Sequence, residues 1–344
     1  MREPEETFID PNAGTTMDEQ LIVQPGVRRL EALLEEGVGA TSRRVRQALE
    51  ADDYSRALSE ANRDYARRGT TDMRAVLVYA CLLVGRELVV EARGLLDKAI
   101  EQEGERPEYA ALMADALLLE GNPDAAREWL ERIDPEALER PAVAAFVADV
   151  YLDLGDRDEA IAYYQKAVDE GVDDVEPAIR LGQMYLADDR LEEAVDAFEY
   201  GARMEGDRLG LWRMTADLYE ELGREERALE AKRRVFEIEG ASCVEWLHLG
   251  LRLAGVRRFE AALEALERAH RLEPGDPEPI LSRGHILLEL GRAEEAIAAF
   301  RQLEKLGRGG VELDFGLASA ALMMGDLTLA AERAERAVEA DPSH

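Results

Sequence analysis

The chain has 344 residues, of which 47% are hydrophobic and 34% are charged, so it contains enough apolar side chains to bury a substantial core. Its 74 acidic residues outnumber its 42 basic residues, and the formal net charge is -32 at pH 7. Nucleic acids and anionic membranes attract basic surfaces, so this charge argues against both as partners.

The sequence also restricts the compartment and the covalent chemistry. It contains no apolar run of about 18 residues, the length that a membrane helix requires. Its N-terminal residues lack the basic end and apolar run of a secretory signal, so we expect a cytoplasmic protein. The two cysteines, Cys81 and Cys243, fit neither a disulfide framework nor a zinc motif. Only four basic residues are lysines, which is typical of either a GC-rich genome or a salt-rich cytoplasm.

The N-terminal part divides into two segments. Residues 1–27 are acidic, and prolines and a glycine interrupt any periodicity, which predicts a disordered tail. Residues 28–72 contain two amphipathic stretches, 28–36 and 41–67, that predict helices.

From residue 73 onward the sequence repeats every 34 residues. Alanine recurs at this spacing at Ala92, Ala126, Ala160, Ala194, Ala228, Ala262, Ala296 and Ala330. Twelve residues earlier stands another small residue, at Ala80, Ala114, Ala148, Gly182, Ala216, Gly250, Gly284 and Ala318. Two helices approach closely only where side chains are small, so each repeat is predicted to be a helical hairpin that closes at this pair.

The turn between the two predicted helices has its own signal. Most repeats carry a glycine there that suits a left-handed helix end, namely Gly121, Gly155, Gly223, Gly291 and Gly325. Asp189 takes this place in the fourth repeat. In the first and sixth repeats the glycine comes two residues earlier, at Gly85 and Gly255, so we expect those turns to differ locally.

Residues 73–344 resemble tetratricopeptide repeats (TPRs). The family's tryptophan is matched by Trp246, its Leu-Gly pair by Leu249 and Gly250, and its alanine and aromatic pair by Ala296 and Phe300. The resemblance implies an all-α fold, a right-handed superhelical solenoid of eight 34-residue helix-turn-helix repeats. Residues 28–72 would then be a helical N-terminal cap or a degenerate repeat.

The same resemblance implies where a client binds. In this family the first helix of each repeat lines a concave groove, which the second, fifth, ninth and twelfth residues of the repeat face. The predicted client-binding groove comprises Asp149, Ile179, Arg180, Gln183, Arg213, Asp217, Leu247, His248, Leu251, Leu281 and His285. Arg180, Arg213 and Asp217 would either fix the register of a client peptide or form a salt-bridge lattice between helices.

The groove composition restricts the client. Acidic groups flank its apolar track, so we expect a protein or peptide with apolar anchors and basic flanks. The lysines and asparagines with which a subset of the family grips C-terminal carboxylates are missing at the groove positions, so we do not expect that mechanism.

No catalytic residue, metal site or cofactor is predicted. His248 and His285 lie on adjacent predicted helices, but no cysteine or acidic residue at short spacing completes a metal set, so we interpret them as ordinary groove residues. The sequence contains neither a phosphate-binding glycine loop nor a nucleophile elbow.

The leading hypothesis is a non-enzymatic protein-binding adaptor or assembly scaffold. One alternative is a self-associating structural protein, a homo-oligomer joined through its C-terminal repeat. Another is an accessory subunit of a kinase or secretion complex that makes contact through residues 1–27.

Overall fold

The computed structural model describes residues 40–49, 51, 53–204 and 209–341. The predicted tail over residues 1–27 and the predicted helix over residues 28–36 lie outside this part of the chain. Within it the chain forms 18 α-helices and no β-strand, and none of these helices combines the length and apolarity needed to cross a lipid bilayer. The chain divides into two compact units, Met1–Gly206 and Asp207–His344, called unit 1 and unit 2 below.

Unit 1 consists of helices packed in consecutive pairs, α1 with α2 through α9 with α10. They are α1 (Ala40–Leu49), α2 (Tyr54–Arg68), α3 (Met73–Val84), α4 (Val89–Glu103), α5 (Pro107–Leu119), α6 (Pro123–Leu130), α7 (Pro141–Leu154), α8 (Arg157–Asp169), α9 (Glu176–Ala187) and α10 (Leu191–Met204). Each of α3, α5, α7 and α9 is the first helix of a predicted repeat. Successive first helices also pack on one another, α3 on α5 and α5 on α7.

Unit 2 follows the same plan with four helix pairs. They are α11 (Leu209–Glu221), α12 (Glu225–Glu239), α13 (Cys243–Gly255), α14 (Phe259–Leu272), α15 (Glu278–Glu289), α16 (Ala293–Lys305), α17 (Val311–Met324) and α18 (Leu327–Ala340). The first helices α13, α15 and α17 pack in succession, so their outer sides form one continuous surface within this unit.

The turn inside each pair has one recurring left-handed residue. Its φ is positive in all eight predicted repeats, at Glu87, Gly121, Gly155, Asp189, Gly223, Arg257, Gly291 and Gly325. The expectation that the first and sixth turns differ is wrong, because Glu87 (φ 59°) and Arg257 (φ 63°) adopt the conformation that glycine adopts elsewhere. The hydrogen bond from the next amide is retained too, since Arg258 N donates to Leu253 O at 2.9 Å. The hairpin geometry therefore fixes the backbone at this position whatever the residue.

The predicted small residues lie at helix contacts. A Cβ atom on Gly182 of α9 would lie 2.7 Å from the Phe198 ring of α10, and one on Gly250 would lie 2.8 Å from Leu266. Phe300 of α16 is enclosed on two sides, since a Cβ atom on Gly284 or on Gly316 would overlap its ring. The large side chain of a second helix thus fills the space that glycine leaves on a first helix.

Candidate functional site

The predicted groove residues of unit 1 lie on α7 and α9. The Arg180 guanidinium is 3.3 Å from the Asp149 carboxylate, and its Nε donates a hydrogen bond to Glu176 at 3.2 Å. The Tyr164 hydroxyl of α8 donates a second hydrogen bond to Asp149. Gln183 is exposed and Ile179 is half-buried beside this network.

These side chains hold one another in a partly buried setting. Burial and the neighbouring Asp149 charge both raise the pKa of the Tyr164 hydroxyl, so it stays protonated and continues to donate. Burial is the largest single effect and would lower the pKa of Arg180, but Asp149, Tyr164 and Glu176 together outweigh it, so the pKa is raised. Removal of one partner would leave the other charge poorly compensated. In unit 1 the geometry therefore corresponds to the salt-bridge lattice, the second of the two roles considered for Arg180.

The predicted residues on α11 of unit 2 are less enclosed. The Arg213 guanidinium contacts the Glu239 carboxylate of α12 at 2.6 Å, with about half of each side chain in solvent. Asp217 is exposed on the same helix. Such a pair contributes little to stability and is easily exchanged for another partner.

On α13 the three predicted residues have different surroundings. Leu247 is buried in the core beside Trp246, so it is not an open surface for a client. His248 and Leu251 are exposed, and Val244 on the same side of the helix is exposed as well. The apolar surface of α13 thus comprises Val244 and Leu251, and only Leu251 was predicted from the sequence.

A cavity of about 460 Å³ lies between α15 and α17, and we call it the anchor cavity. It is lined by Glu278, Leu281, Ser282, His285, Glu312 and Phe315. Phe315 is 50% exposed. Leu281 and His285 were predicted, whereas the paired carboxylates and Phe315 were not selected. Their signal was the repeat period, because Glu278 and Glu312 occupy the second place of consecutive repeats and Leu281 and Phe315 the fifth.

A larger cavity of about 610 Å³ lies along α14 and α16, but its lining is engaged in ion pairs. Arg283 contacts Glu267 there, and Arg292 contacts Glu295. A ligand entering this cavity would have to separate charges that already compensate one another. The anchor cavity is therefore the better candidate site.

One cluster of potential ligands was not predicted, because its members are separated by almost a full repeat in the sequence. The Cys243 thiol and the carboxylates of Glu273 and Asp276 have ligand atoms within 4.8 Å of one another. Burial, together with these carboxylates, raises the pKa of the thiol, which donates a hydrogen bond to Asp276 at 3.7 Å. A protonated thiol is a poor metal ligand. Across the described residues this is the only such cluster, and it includes neither His248 nor His285.

Comparison with known proteins identifies the repeats. Models described as tetratricopeptide repeat match residues 83–150, 148–208, 247–310 and 281–344. No curated protein matches the sequence.

Several solved structures are similar to the chain. YrrB, "a TPR protein with an unusual peptide-binding site", is 19% identical, with 53% of this chain and 93% of that chain covered and a TM-score of 0.34. The human IFIT1 dimer with PPP-AAAA is 17% identical over 92% of this chain and 77% of that one (TM-score 0.38). Pseudomonas aeruginosa pilF is 15% identical over 59% and 93% (TM-score 0.30). By its repeat matches and its helix pairs, this chain belongs to the tetratricopeptide repeat family.

Proposed function

We propose that this protein is a non-enzymatic cytoplasmic adaptor that binds a protein segment on the first helices of unit 2. The observation that supports the proposal is the anchor cavity, whose lining combines Leu281 and the half-exposed Phe315 with the carboxylates of Glu278 and Glu312. Family membership supports a protein-interaction role in general.

The apolar part of this surface extends beyond the cavity. Leu251 is 45% exposed on α13, which packs on α15, and Val244 lies on the same side of α13. Burial of one leucine-sized client side chain on such a surface stabilises a complex by about 1.5–3 kcal/mol before the cost of ordering the client. Several such anchors are therefore needed, and the track across three first helices provides room for them.

Charge determines the flanks of the client. Glu278 and Glu312 are exposed residues of the lining of the anchor cavity, in a chain whose net charge is -32. Carboxylates that border an apolar site favour lysine or arginine next to the client's anchor, mainly through a faster and salt-sensitive association. An acidic client would be repelled by the same groups.

The test is affinity purification from native cell extract with the full chain and two variants. Leu251→Asp/Phe315→Asp removes two exposed anchors of the proposed surface. Val90→Asp, on an exposed valine of α4 in unit 1, adds the same kind of charge elsewhere. We expect a partner that co-elutes with the wild type and with Val90→Asp but not with the double variant. The same partners in all three eluates would contradict binding at this surface.

A second candidate, self-association, is supported by the last helix. Leu327 and Val338 of α18 are exposed. In the preceding repeat, the residues equivalent to Leu327 and Ala331 are Ala293 and Ile297 of α16, and both are buried because helices pack on α16 from before and after. Sedimentation of the wild type and of Leu327→Glu/Val338→Glu tests this candidate. A defined oligomer that the variant dissolves would support it, and a monomer in both samples would exclude it. The third hypothesis, contact through residues 1–27, concerns a segment outside the described residues.

A further inference from the structure

Four repeats carry a carboxylate at their second residue, at the start of the first helix. They are Glu108, Glu176, Glu278 and Glu312. The first two belong to unit 1, and each of them pairs with an arginine of the chain itself. Arg140 contacts Glu108 at 2.5 Å, and the Nε atom of Arg180 donates a hydrogen bond to Glu176 at 3.2 Å. This position of the repeat therefore binds a guanidinium group in both repeats of unit 1 that have the carboxylate.

The two equivalent carboxylates of unit 2 have no such partner. Within the part of the chain that the structure describes, no arginine, lysine or histidine forms an ion pair with Glu278 or Glu312. Both glutamates instead line the anchor cavity. Asp314, the next carboxylate on α17, is buried and already bound to Arg333 at 3.1 Å. The cavity thus keeps the two carboxylates that the protein does not compensate from within.

The helix ends reduce this negative charge but do not cancel it. Glu278 and Glu312 lie in the first turns of α15 and α17. The N-terminus of a helix has a partial positive charge of about half an elementary charge. Two carboxylates and two helix N-termini therefore leave a net charge of about -1 in the cavity. A cation is attracted to such a site, whereas an anion is repelled.

The lining of the cavity changes from charged to apolar along both helices. On α15 Leu281 follows Glu278 by three residues, and on α17 Phe315 follows Glu312 by three residues. Residues three apart are neighbours on the surface of a helix, and three residues rise by about 4.5 Å. Each carboxylate consequently has an apolar side chain about one turn further along its helix.

We propose that the anchor cavity binds an arginine side chain of the client. The apolar stem of an arginine can lie on Leu281 and Phe315, since such stems are buried along apolar surfaces while the charged end stays in a polar setting. Its guanidinium group then reaches Glu278 and Glu312, and its planar fork of donors matches carboxylates. The same plane packs favourably on an aromatic ring such as that of Phe315. Lysine brings the charge but lacks the planar fork.

This inference rests on the proposed function, because it names the client side chain that enters the site proposed there. It divides recognition between two places in unit 2. The arginine occupies the anchor cavity between α15 and α17, and the apolar anchors of the client lie on the exposed Val244 and Leu251 of α13.

The test is an NMR titration of the full chain, with labelled leucine methyl groups, that needs no client. The probes are N-acetylarginine methylamide and the same derivative of citrulline, in which a neutral urea group replaces the guanidinium group. The methyl signals of Leu281 report occupation of the cavity and are identified by their loss in Leu281→Met. We expect the arginine compound to shift these signals to saturation. The citrulline compound should have a Kd that is higher by about fivefold or more, because it forms no ion pair.

Two variants locate the charge that is recognised. Glu278→Gln/Glu312→Gln should remove the preference for the arginine compound over the citrulline compound. Glu289→Gln/Glu294→Gln removes the same number of charges from exposed residues of unit 2 outside the cavity lining and should retain the preference. All four glutamates are exposed, so we expect both variants to keep the helical circular dichroism signal of the wild type.

Three results would overturn the proposal. One is the absence of a saturable shift at Leu281, or equal affinities for the arginine and citrulline compounds. Another is a preference for arginine that persists in Glu278→Gln/Glu312→Gln, which would place the cation elsewhere. The third is a lysine derivative that binds as tightly as the arginine compound, which would mean that the cavity recognises charge alone.

Failure of this inference and failure of the proposed function give different results. If the titration fails but Leu251→Asp/Phe315→Asp still loses a partner in affinity purification, only the assignment of arginine is wrong. If all eluates are the same but the cavity prefers arginine in the titration, the site binds this side chain and the adaptor role at this surface is wrong.

Discussion

Replacement of Gly284 by alanine tests how rigidly the helix pairs of unit 2 are packed. An ideal Cβ atom at Gly284 would lie 2.6 Å from Cζ of the Phe300 ring, whereas carbon atoms in contact are about 3.5–4.0 Å apart. The ring would have to move by about 1 Å. It has no free space to do so, because Phe300 is fully buried and Gly316 of the next first helix lies against the same ring.

The expected cost follows from this overlap. An added methyl group in a packed core destabilises by about 1–3 kcal/mol, and the enclosed ring places Gly284→Ala near the upper end. For a folded unit of this size, about 3 kcal/mol corresponds to a decrease in Tm of roughly 10 °C. Thermal unfolding of the full chain, followed by circular dichroism, measures this decrease.

Gly255→Ala is the matched control, because a Cβ atom there has no neighbour within 4 Å and the residue ends helix α13. We expect it to be neutral or to stabilise by about 0.5–1 kcal/mol. Phe300→Leu should recover part of the loss in a Gly284→Ala background, since the smaller side chain makes room for the methyl group. Equal Tm values for the two alanine variants, or no recovery with leucine, would refute the view of a rigid contact.

Two further predictions concern the turns and the ion pairs. Arg257→Gly should stabilise unit 2 by about 0.5–1 kcal/mol in urea unfolding, because Arg257 has a φ of 63°, a backbone conformation that a side chain disfavours. The control is Arg258→Gly, which should destabilise unit 2 because Arg258 has an ordinary negative φ. A loss of stability in both variants would contradict this reasoning. The Arg127 side chain donates hydrogen bonds to the Asp156 carboxylate at 2.6 and 3.0 Å and lowers the pKa of Asp156 below 3.8. The contribution of Asp156 to stability is therefore present above that pH and is lost as the pH falls through the folded-state pKa. The stability difference between wild type and Arg127→Gln should therefore shrink in unfolding experiments as the pH decreases below about 4, and a constant difference would show that the charge pair is not its source.

The fold could be predicted from the sequence because the residues that determine it are local and recur periodically. Small residues such as Gly182 and Ala194 are needed wherever two helices close, so they recur at a fixed interval that can be read without any tertiary information. The turns at Glu87 and Arg257 were predicted wrongly because residue identity was given more weight than position. The packing of the hairpin, an energy spread over many residues, imposes a left-handed residue there at a modest local cost.

Only part of the candidate site could be predicted from the sequence. The period indicates which residues share a face, but it does not indicate how deeply each is covered or which partner it contacts. Leu247 has the periodicity of a groove residue and is nevertheless part of the core. Arg180 has the chemistry of a client contact, yet its charge is already compensated by Asp149 on α7. These outcomes depend on neighbours about one repeat away, whose side chains vary independently of the repeat pattern.

The ring of Phe300 separates two helices that form the walls of the anchor cavity. It lies between Gly284 of α15 and Gly316 of α17, its edge meets His285 at a centroid distance of 5.5 Å, and these two helices carry the walls of the anchor cavity. The width of that cavity is therefore determined from inside the protein, by the thickness of one aromatic side chain. Because Phe300 is fully buried and does not line the cavity, a substitution there is expected to change the width of the cavity without changing any residue of its lining.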